Sequence, residues 1–258
     1  MIKAMVHRIR EVLIFSFVAL FCKANGGTTA DWWATRPPDP SASYCLSWRL
    51  AVEANNLRGW RTVPTQCLGY IETYMIGGQY FRDLRLIADQ ILSYANEMVP
   101  AGDGLDAWIF DVDDTCISNI LYYRDKRYGC DPYDPVAFKA WATKAGCTAI
   151  PSVLRVYNKL IENGFKIILI TGRDEETMGP ATIDNLNDQG FVDYERLIMR
   201  TAAYKGQSAV KYKSEIRKQL VEEGYRIWGN VGDQWSDLQG EYLGNRTFKL
   251  PNPMYFVP

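Results

Sequence analysis

The chain has 258 residues, of which 47% are hydrophobic and 23% charged, and its formal net charge is −1. This composition is typical of a globular protein; it excludes a disordered chain, and the lack of a block of like charge argues against a nucleic-acid-binding arm. The sequence contains one histidine, His7, which lies in an N-terminal stretch unlike the rest of the chain.

Residues 1–27 have the pattern of a secretory signal peptide. A basic region with Arg8 and Arg10 precedes the apolar run Val12–Cys22, and small residues follow up to Gly27. This run is too short to cross a bilayer as a helix, for which about 20 residues are needed; a buried N-terminal helix is the alternative. Removal of the signal leaves a chain without histidine and with a net charge of −4. Serine–histidine triads, histidine acid phosphatases and His-rich binuclear metallophosphatases are thereby excluded, and polyanions are poor ligands.

Residues 28–100 are predicted to form an N-terminal arm followed by a helical extension. The arm is rich in proline and serine up to residue 42. From Ser43 to about Val99 the apolar residues have helical spacing, and Pro100 and Gly102 mark the end of the helical part.

The pattern changes in residues 101–258 to short apolar runs that alternate with amphipathic helices, one of which is predicted over residues 151–163. The runs are Ala107–Phe110, Lys166–Ile170, Arg196–Met199, Tyr225–Trp228 and Thr247–Leu250. Buried strands that alternate with helices predict an α/β fold with a doubly wound, mostly parallel sheet and helices on both faces. In such sheets ligands bind beyond the carboxyl ends of the strands.

Three of these runs are followed directly by residues that can carry chemistry. The segments are Asp111-Val112-Asp113-Asp114-Thr115, Thr171-Gly172-Arg173 and Gly232-Asp233-Gln234-Trp235-Ser236-Asp237. Acidic residues at such positions can also serve only to cap helices and turns, and this alternative stays open for Asp114 and Asp237. The placement of Asp111, Asp113 and Asp233 after buried strands indicates a shared site.

These motifs, together with Lys213 ahead of the last acidic segment, resemble the four signatures of haloacid-dehalogenase-type phosphatases. The resemblance extends over residues 43–258 to the plant acid phosphatase and vegetative storage protein family, which is related to the bacterial class B and C acid phosphatases. It implies a HAD-like core with a small cap insertion at about residues 116–150.

A catalytic constellation follows from the motifs and the resemblance. Asp111 is the candidate nucleophile, forming an aspartyl-phosphate, and Asp113 is the candidate general acid and base. Hard oxygen donors favour Mg²⁺, with Asp111, the Asp113 carbonyl and Asp233 as ligands and Asp237 acting through water. Burial and the negative charges of Asp111 and of the bound phosphate raise the pKa of Asp113, whereas Mg²⁺ and Lys213 lower it. We expect the raising effects to win, so that turnover is greatest below neutrality.

Further side chains are assigned to phosphate and substrate. Thr171 is expected to donate its hydroxyl to the phosphoryl oxygens, and Lys213, singled out by the resemblance alone, to neutralise their charge. Candidate substrate-binding residues are Asn119, Tyr122, Tyr123 and Arg173. The tyrosines could instead fill the interface between cap and core, and Arg173 could form a structural ion pair.

Five cysteines remain after removal of the signal. In an oxidising compartment the short loops favour the pairs Cys45–Cys67 and Cys130–Cys147, which leaves Cys116 as a buried free thiol. The segment Asn245-Arg246-Thr247 is a glycosylation acceptor.

The sequence therefore predicts a secreted or vacuolar, Mg²⁺-dependent acid phosphatase. The alternative is a storage protein with slight or incidental phosphatase activity. The presence of Asp111 and of the other site residues favours the enzyme. The expected partner is a small phosphate monoester, not a nucleic-acid polymer or a membrane, and a homodimer is left open.

Overall fold

The computed structural model describes residues 40–258. The predicted signal peptide and most of the predicted arm, residues 28–39, lie outside the described residues. In the described part of the chain, no helix has the length and apolar character needed to cross a membrane.

In the described part of the chain three α-helices precede the sheet: α1 (Pro40–Glu53), α2 (Leu68–Ile76) and α3 (Gln79–Ala95). The Cys45–Cys67 disulfide links α1 to the 3-10 turn Thr65–Cys67 that leads into α2, which confirms the predicted pair. A bond that closes a loop of this kind stabilises the fold mainly by restricting the unfolded chain.

The central sheet has five parallel strands in the order β5-β4-β1-β6-β7. The strands are β1 (Asp106–Phe110), β4 (Lys166–Asp174), β5 (Arg196–Arg200), β6 (Arg226–Gly232) and β7 (Arg246–Lys249). The predicted α/β fold class is confirmed. One difference is that Thr171-Gly172-Arg173 lies inside β4, because β4 pairs again with β5 at Asp174 and Arg200 after an irregular register.

Helices cover both faces of the sheet because successive side chains of a strand point to opposite faces. Trp108 and Phe110 belong to one core cluster together with residues of α3 and of α6 (Pro151–Glu162). Ala107 and Ile109 belong to another cluster together with residues of α8 (Ala209–Glu222). Helix α7 (Glu175–Asp188) follows β4 directly.

Close packing around Trp108 requires a glycine on the neighbouring strand. Gly229 of β6 pairs with Trp108, and a Cβ atom at Gly229 would lie 2.1 Å from the indole ring. No other residue type fits there without movement of the indole, at the point where the β1–β6 register shifts.

An insertion lies between β1 and α6. It contains β2 (Ile117–Ser118), α4 (Ile120–Asp125), α5 (Pro135–Ala142) and β3 (Thr148–Ala149). Strands β2 and β3 pair antiparallel, so the insertion leaves and re-enters the core at neighbouring positions.

The predicted Cys130–Cys147 disulfide is wrong: Cys116, Cys130 and Cys147 are free thiols. The buried Cys147 thiol instead contacts Asn119 Oδ1 at 3.3 Å and Arg173 Nη2 at 3.7 Å. Loop length favours a pair only if the two side chains meet, and the β2–β3 pairing directs Cys147 into the core instead. Cys116 is buried and free, as expected.

Candidate active site

Three buried carboxylates meet at the carboxyl edge of the sheet. Asp111 follows β1, and Asp233 and Asp237 follow the neighbouring strand β6. One carboxylate oxygen of each lies within 4.8 Å of those of the other two. The loop from Asp233 to Asp237 is closed by the Asp237 carboxylate, which accepts a hydrogen bond from the Gln234 backbone amide at 2.9 Å.

Lys213 of α8 reaches into this cluster. Its Nζ lies 2.5 Å from Asp111 Oδ1 and 2.6 Å from Asp237 Oδ1, and the side chain is buried. Burial lowers the pKa of Lys213, but the two carboxylates outweigh it and the net shift is upward, so the ammonium stays charged. The helix that carries it is capped by Ser208, whose hydroxyl accepts from the Lys211 amide.

The carboxylates disfavour one another's charge. Burial, with the repulsion of Asp237 and Asp113, raises the pKa of Asp111 to about 7 despite the attraction of Lys213. Burial and the charges of Asp237 and Asp111 likewise raise the pKa of Asp233 well above its ordinary value. Three crowded carboxylates with one lysine leave an excess of negative charge that a divalent cation would balance. The donor set therefore fits a hard cation with oxygen ligands.

Asp113 has a different partner. Its carboxylate pairs with Arg173, with Nη2 2.7 Å from Oδ1 and Nε 3.0 Å from Oδ2, and it accepts a further hydrogen bond from Asn119 Nδ2 at 2.8 Å. Burial raises the pKa of Asp113, but the charge and hydrogen bonds of Arg173 and the Asn119 amide outweigh it, and the pKa is lowered. The expectation of a raised pKa is wrong, because the sequence could not reveal that Arg173 meets Asp113.

Asn119 and Thr171 lie behind the cavity wall. Asn119 is fully buried; besides Asp113 it contacts Trp141 Nε1, which donates to its Oδ1 at 3.2 Å. Thr171 is also fully buried, and its hydroxyl accepts from the Arg173 backbone amide at 3.1 Å. Asn119 thus orients Asp113, a contact that sequence reasoning missed and that no motif signals.

Asp114 stabilises the loop that follows Asp111. Its φ is 52°, a left-handed conformation that aspartate tolerates better than most residues. The carboxylate accepts from the Asn119 amide at 2.9 Å and from the Tyr255 hydroxyl at 3.0 Å. The contacts of Asp114 are those of a residue that only stabilises a turn, which was one of the two interpretations of the sequence. Asp237, by contrast, contacts Lys213 within the carboxylate cluster.

A cavity of about 500 Å³ opens above the carboxylates and contains Asp111, Asp113, Arg173 and Lys213 in its walls. Aromatic side chains form another part of the wall. Tyr123 and Tyr255 stack in parallel with ring centroids 4.7 Å apart. Tyr122 does not line the cavity; it packs edge-on against Tyr123 in the insertion. Sequence reasoning missed Tyr255, which follows the last strand and has no motif around it.

Two further partners of Asp233 were also missed. Gln234 Nε2 and Asn252 Nδ2 donate to its Oδ2 at 2.7 and 2.6 Å. Asn252 and Tyr255 both belong to the segment after β7. This segment therefore orients Asp233, a candidate metal ligand, and also lines the cavity.

A parallel sheet with Asp-x-Asp after its central strand, an acidic motif after the neighbouring strand and a helical lysine between them defines a phosphatase-type site of the haloacid dehalogenase class. Residues 31–258 match the family model described as HAD superfamily, subfamily IIIB (Acid phosphatase). The chain belongs to this acid phosphatase family, which confirms the enzyme class and the family expected from the motifs.

Two relatives agree with this assignment, and a solved structure agrees with the fold. The chain is 45% identical over 213 residues to Acid phosphatase 1 of Solanum lycopersicum, covering 83% of each chain. It is 39% identical to Vegetative storage protein 2 of Arabidopsis thaliana, covering 83% of this chain and 80% of that protein. The fold is similar to that of the class C acid phosphatase from Bacillus anthracis, with a TM-score of 0.52 and 19% identity over 84% of this chain and 86% of that one.

Proposed function

We propose that the protein is a secreted or vacuolar, Mg²⁺-dependent acid phosphatase that hydrolyses small phosphate monoesters through an aspartyl-phosphate. The observation that carries the proposal is the position of Asp111. Its carboxylate lies in the wall of the cavity, in a cluster with Asp233 and Asp237, and 2.5 Å from a buried lysine ammonium. Family membership supports the reaction class.

In the first half-reaction a carboxylate oxygen of Asp111 forms a bond to phosphorus while the ester P–O bond breaks. The leaving alkoxide takes a proton from Asp113. In the second half-reaction water attacks the phosphoryl group, Asp113 accepts its proton, and the Asp111 carboxylate is restored with release of inorganic phosphate. A covalent intermediate divides one slow displacement by water into two faster steps.

Asp113 must hold a proton during this cycle, yet it is paired with Arg173. We infer that the dianionic phosphoryl group competes for this guanidinium, which lies in the same cavity wall. Arginine suits both partners, because its fork of donors matches carboxylate and phosphate alike. Lys213 would stabilise the charge on the phosphoryl oxygens, and Thr171 would do so only if its buried hydroxyl turns from the Arg173 amide.

The residues proposed to hold Mg²⁺ are Asp111, Asp233 and Asp237, with the Asp113 carbonyl as a further oxygen donor. When bound, the cation supplies positive charge that offsets the repulsion between the phosphate and the carboxylates. Gln234 and Asn252 orient the Asp233 carboxylate through their amide groups.

The test is turnover of purified residues 28–258 on p-nitrophenyl phosphate and on an alkyl phosphate, with Asp111→Asn as the decisive variant. The amide keeps the shape but cannot attack, so turnover is expected to fall by about four orders of magnitude or more. Mass spectrometry of acid-quenched enzyme should find one phosphoryl group on the Asp111 peptide. Asp184→Asn, at an exposed position of α7, is the matched control. Activity of Asp111→Asn equal to that of the wild type would refute the mechanism.

A storage role with incidental activity is the second candidate, supported by the similarity to Vegetative storage protein 2. Near-zero turnover together with abundant accumulation would favour it. Steady turnover would favour the enzyme.

The secretory location rests on the predicted signal and on Asn245, which is exposed at the start of β7. Enzymatic removal of N-glycans should increase the gel mobility of the plant-expressed protein but not that of Asn245→Gln. A homodimer stays a prediction.

A further inference from the structure

Arg200 has an unusual setting in the cavity wall. It ends β5, its Nη1 donates to the Gln207 carbonyl at 3.1 Å, and its guanidinium carbon lies 4.8 Å from the centroid of the Tyr212 ring. Its Nε is buried and has no hydrogen-bond partner among residues 40–258. A guanidinium with an unused donor can bind an anionic oxygen of a ligand in the cavity.

Lys139 of α5 lies in the wall of the same cavity. Its neighbour Phe138 packs on a small apolar cluster formed by Ala142, Met178 and Met199, so α5 lies against α7 and the end of β5. Lys139 and Arg200 share the β5 side of the cavity, because the charge of Lys139 acts on Asp174, which pairs with Arg200 in the β4–β5 register.

Neither cation is paired with a carboxylate within hydrogen-bonding distance in the described part of the chain. Asp174 lies opposite Arg200 in the β4–β5 register and lines the cavity too. Its carboxylate caps α7, accepting from the Thr177 amide at 2.9 Å and the Thr177 hydroxyl at 2.6 Å. This side of the cavity thus has two cations against one carboxylate that is already hydrogen-bonded.

The two cations lie apart from the reacting centre. Strand β5 is separated from β1 by β4, and neighbouring strands are about 4.8 Å apart, so Arg200 stands about 10 Å from the end of β1 along the sheet. Arg61, another cation of the cavity, belongs to a different wall, since Trp60 packs against Phe256.

We propose that Arg200 and Lys139 form a second anion subsite, which selects phosphate monoesters that carry a further anionic group, carboxylate or phosphate, about 10 Å from the scissile phosphate. The proposal rests on the phosphatase function. It deepens that function by naming the substrate class: doubly anionic monoesters with an extended spacer.

The experiment compares ω-carboxyalkyl phosphates with ω-hydroxyalkyl phosphates of equal chain length, over about two to eight carbons. Each pair differs in the remote charge, and the short members, which cannot span the distance, serve as internal controls. For the long members the wild-type kcat/KM is expected to be about tenfold higher for the carboxylate, as one charge-assisted hydrogen bond allows. The short members should show a ratio near one.

In Arg200→Gln the kcat/KM of the long carboxyalkyl phosphates is expected to fall close to that of the hydroxyalkyl phosphates of equal length. Turnover of the hydroxyalkyl esters should not change. Arg200→Lys, which keeps the charge, should retain part of the preference. Lys139→Gln, at an exposed helix position, should also lower the ratio and does not depend on the packing of Arg200.

Arg85→Gln is the matched control, because it removes the same charge from an exposed position of α3 outside the cavity. An equal loss of preference in Arg85→Gln would assign the effect to the overall charge and overturn the subsite. A wild-type ratio of one at every length would overturn the subsite alone, since the hydroxyalkyl esters are still hydrolysed. Absence of turnover with every ester would overturn the proposed function and the subsite with it.

Discussion

The carboxylate of Asp113 and the guanidinium of Arg173 form a two-pronged ion pair, with Nη2 2.7 Å from Oδ1 and Nε 3.0 Å from Oδ2. The two residues come from the ends of adjacent strands, β1 and β4. The pair places the candidate proton donor and a candidate phosphate ligand in direct contact. Asp113 and the phosphoryl group would therefore compete for the Arg173 guanidinium.

The loss of turnover on replacement of Asp113, the candidate proton donor, should depend on the leaving group. Asp113→Asn keeps the contacts with Asn119 and Arg173 in part but cannot transfer a proton. Turnover of an alkyl phosphate is expected to fall by about 10²–10⁴-fold, and that of p-nitrophenyl phosphate much less, because a good leaving group needs less protonation. Steady-state kcat for both esters measures this. An equal fall for both would show that Asp113 does not act on the leaving oxygen.

Removal of divalent cations should abolish turnover. After exhaustive treatment with EDTA, Mg²⁺ is expected to restore the activity, since the proposed ligands are all oxygens. Asp233→Asn should raise the Mg²⁺ concentration needed for half-maximal rate by about tenfold or more, whereas the control Asp184→Asn should not. Full activity of the chelated enzyme, or recovery with zinc alone, would contradict the assignment.

The stacked rings of Tyr123 and Tyr255 should raise kcat/KM for phosphates with an aromatic leaving group more than for alkyl phosphates. Tyr255→Ala removes one ring from the cavity wall and is expected to lower kcat/KM for an aryl phosphate by about tenfold, with a smaller effect on an alkyl phosphate. Tyr255→Phe keeps the stack and loses only the hydrogen bond to Asp114, so its kcat/KM should stay within about twofold of the wild type. If Phe and Ala have the same effect, the hydroxyl and not the ring is responsible.

Another buried carboxylate, that of Asp106 at the start of β1, should couple stability to pH. It accepts hydrogen bonds from Arg226 Nε at 2.8 Å and Trp228 Nε1 at 2.7 Å. The Arg226 hydrogen bonds outweigh burial and, with that of Trp228, hold the pKa of Asp106 well below its ordinary value. A lowered pKa stabilises the fold at pH values above the unfolded pKa of about 3.9, and this contribution is lost as the pH falls towards the lower folded value.

Asp106→Asn is therefore expected to reduce the free energy of unfolding by about 2 kcal/mol at pH 7. The difference from the wild type should shrink as the pH falls below about 4. Urea unfolding at several pH values measures it. Asp103→Asn is the control, because Asp103 also pairs with Arg226 but is exposed, and exposed pairs contribute little. A difference that does not change with pH would refute the coupling.

Much of the fold and part of the site could be predicted from local patterns. Buried strands show as continuous apolar runs, and parallel strands bring their carboxyl ends to one edge. The meeting of Asp111 with Asp233 and Asp237 follows from these two facts. The limits of β4 could not be predicted, because its last residue pairs with Arg200 through a contact distant in sequence.

The sequence by itself determined the class of sheet, the edge at which the chemistry lies and the residue types available there, since hydrophobic periodicity and motif spacing are local properties. Only the tertiary structure decided which of those residues touch. Arg173 lowers the pKa of Asp113 that burial alone would raise, Cys147 contacts Asn119 and Arg173 instead of forming a disulfide, and Tyr255 stacks on Tyr123. Each of these contacts joins side chains far apart in the chain, and their chemistry depends on distances of a few ångströms that the packing of the elements sets.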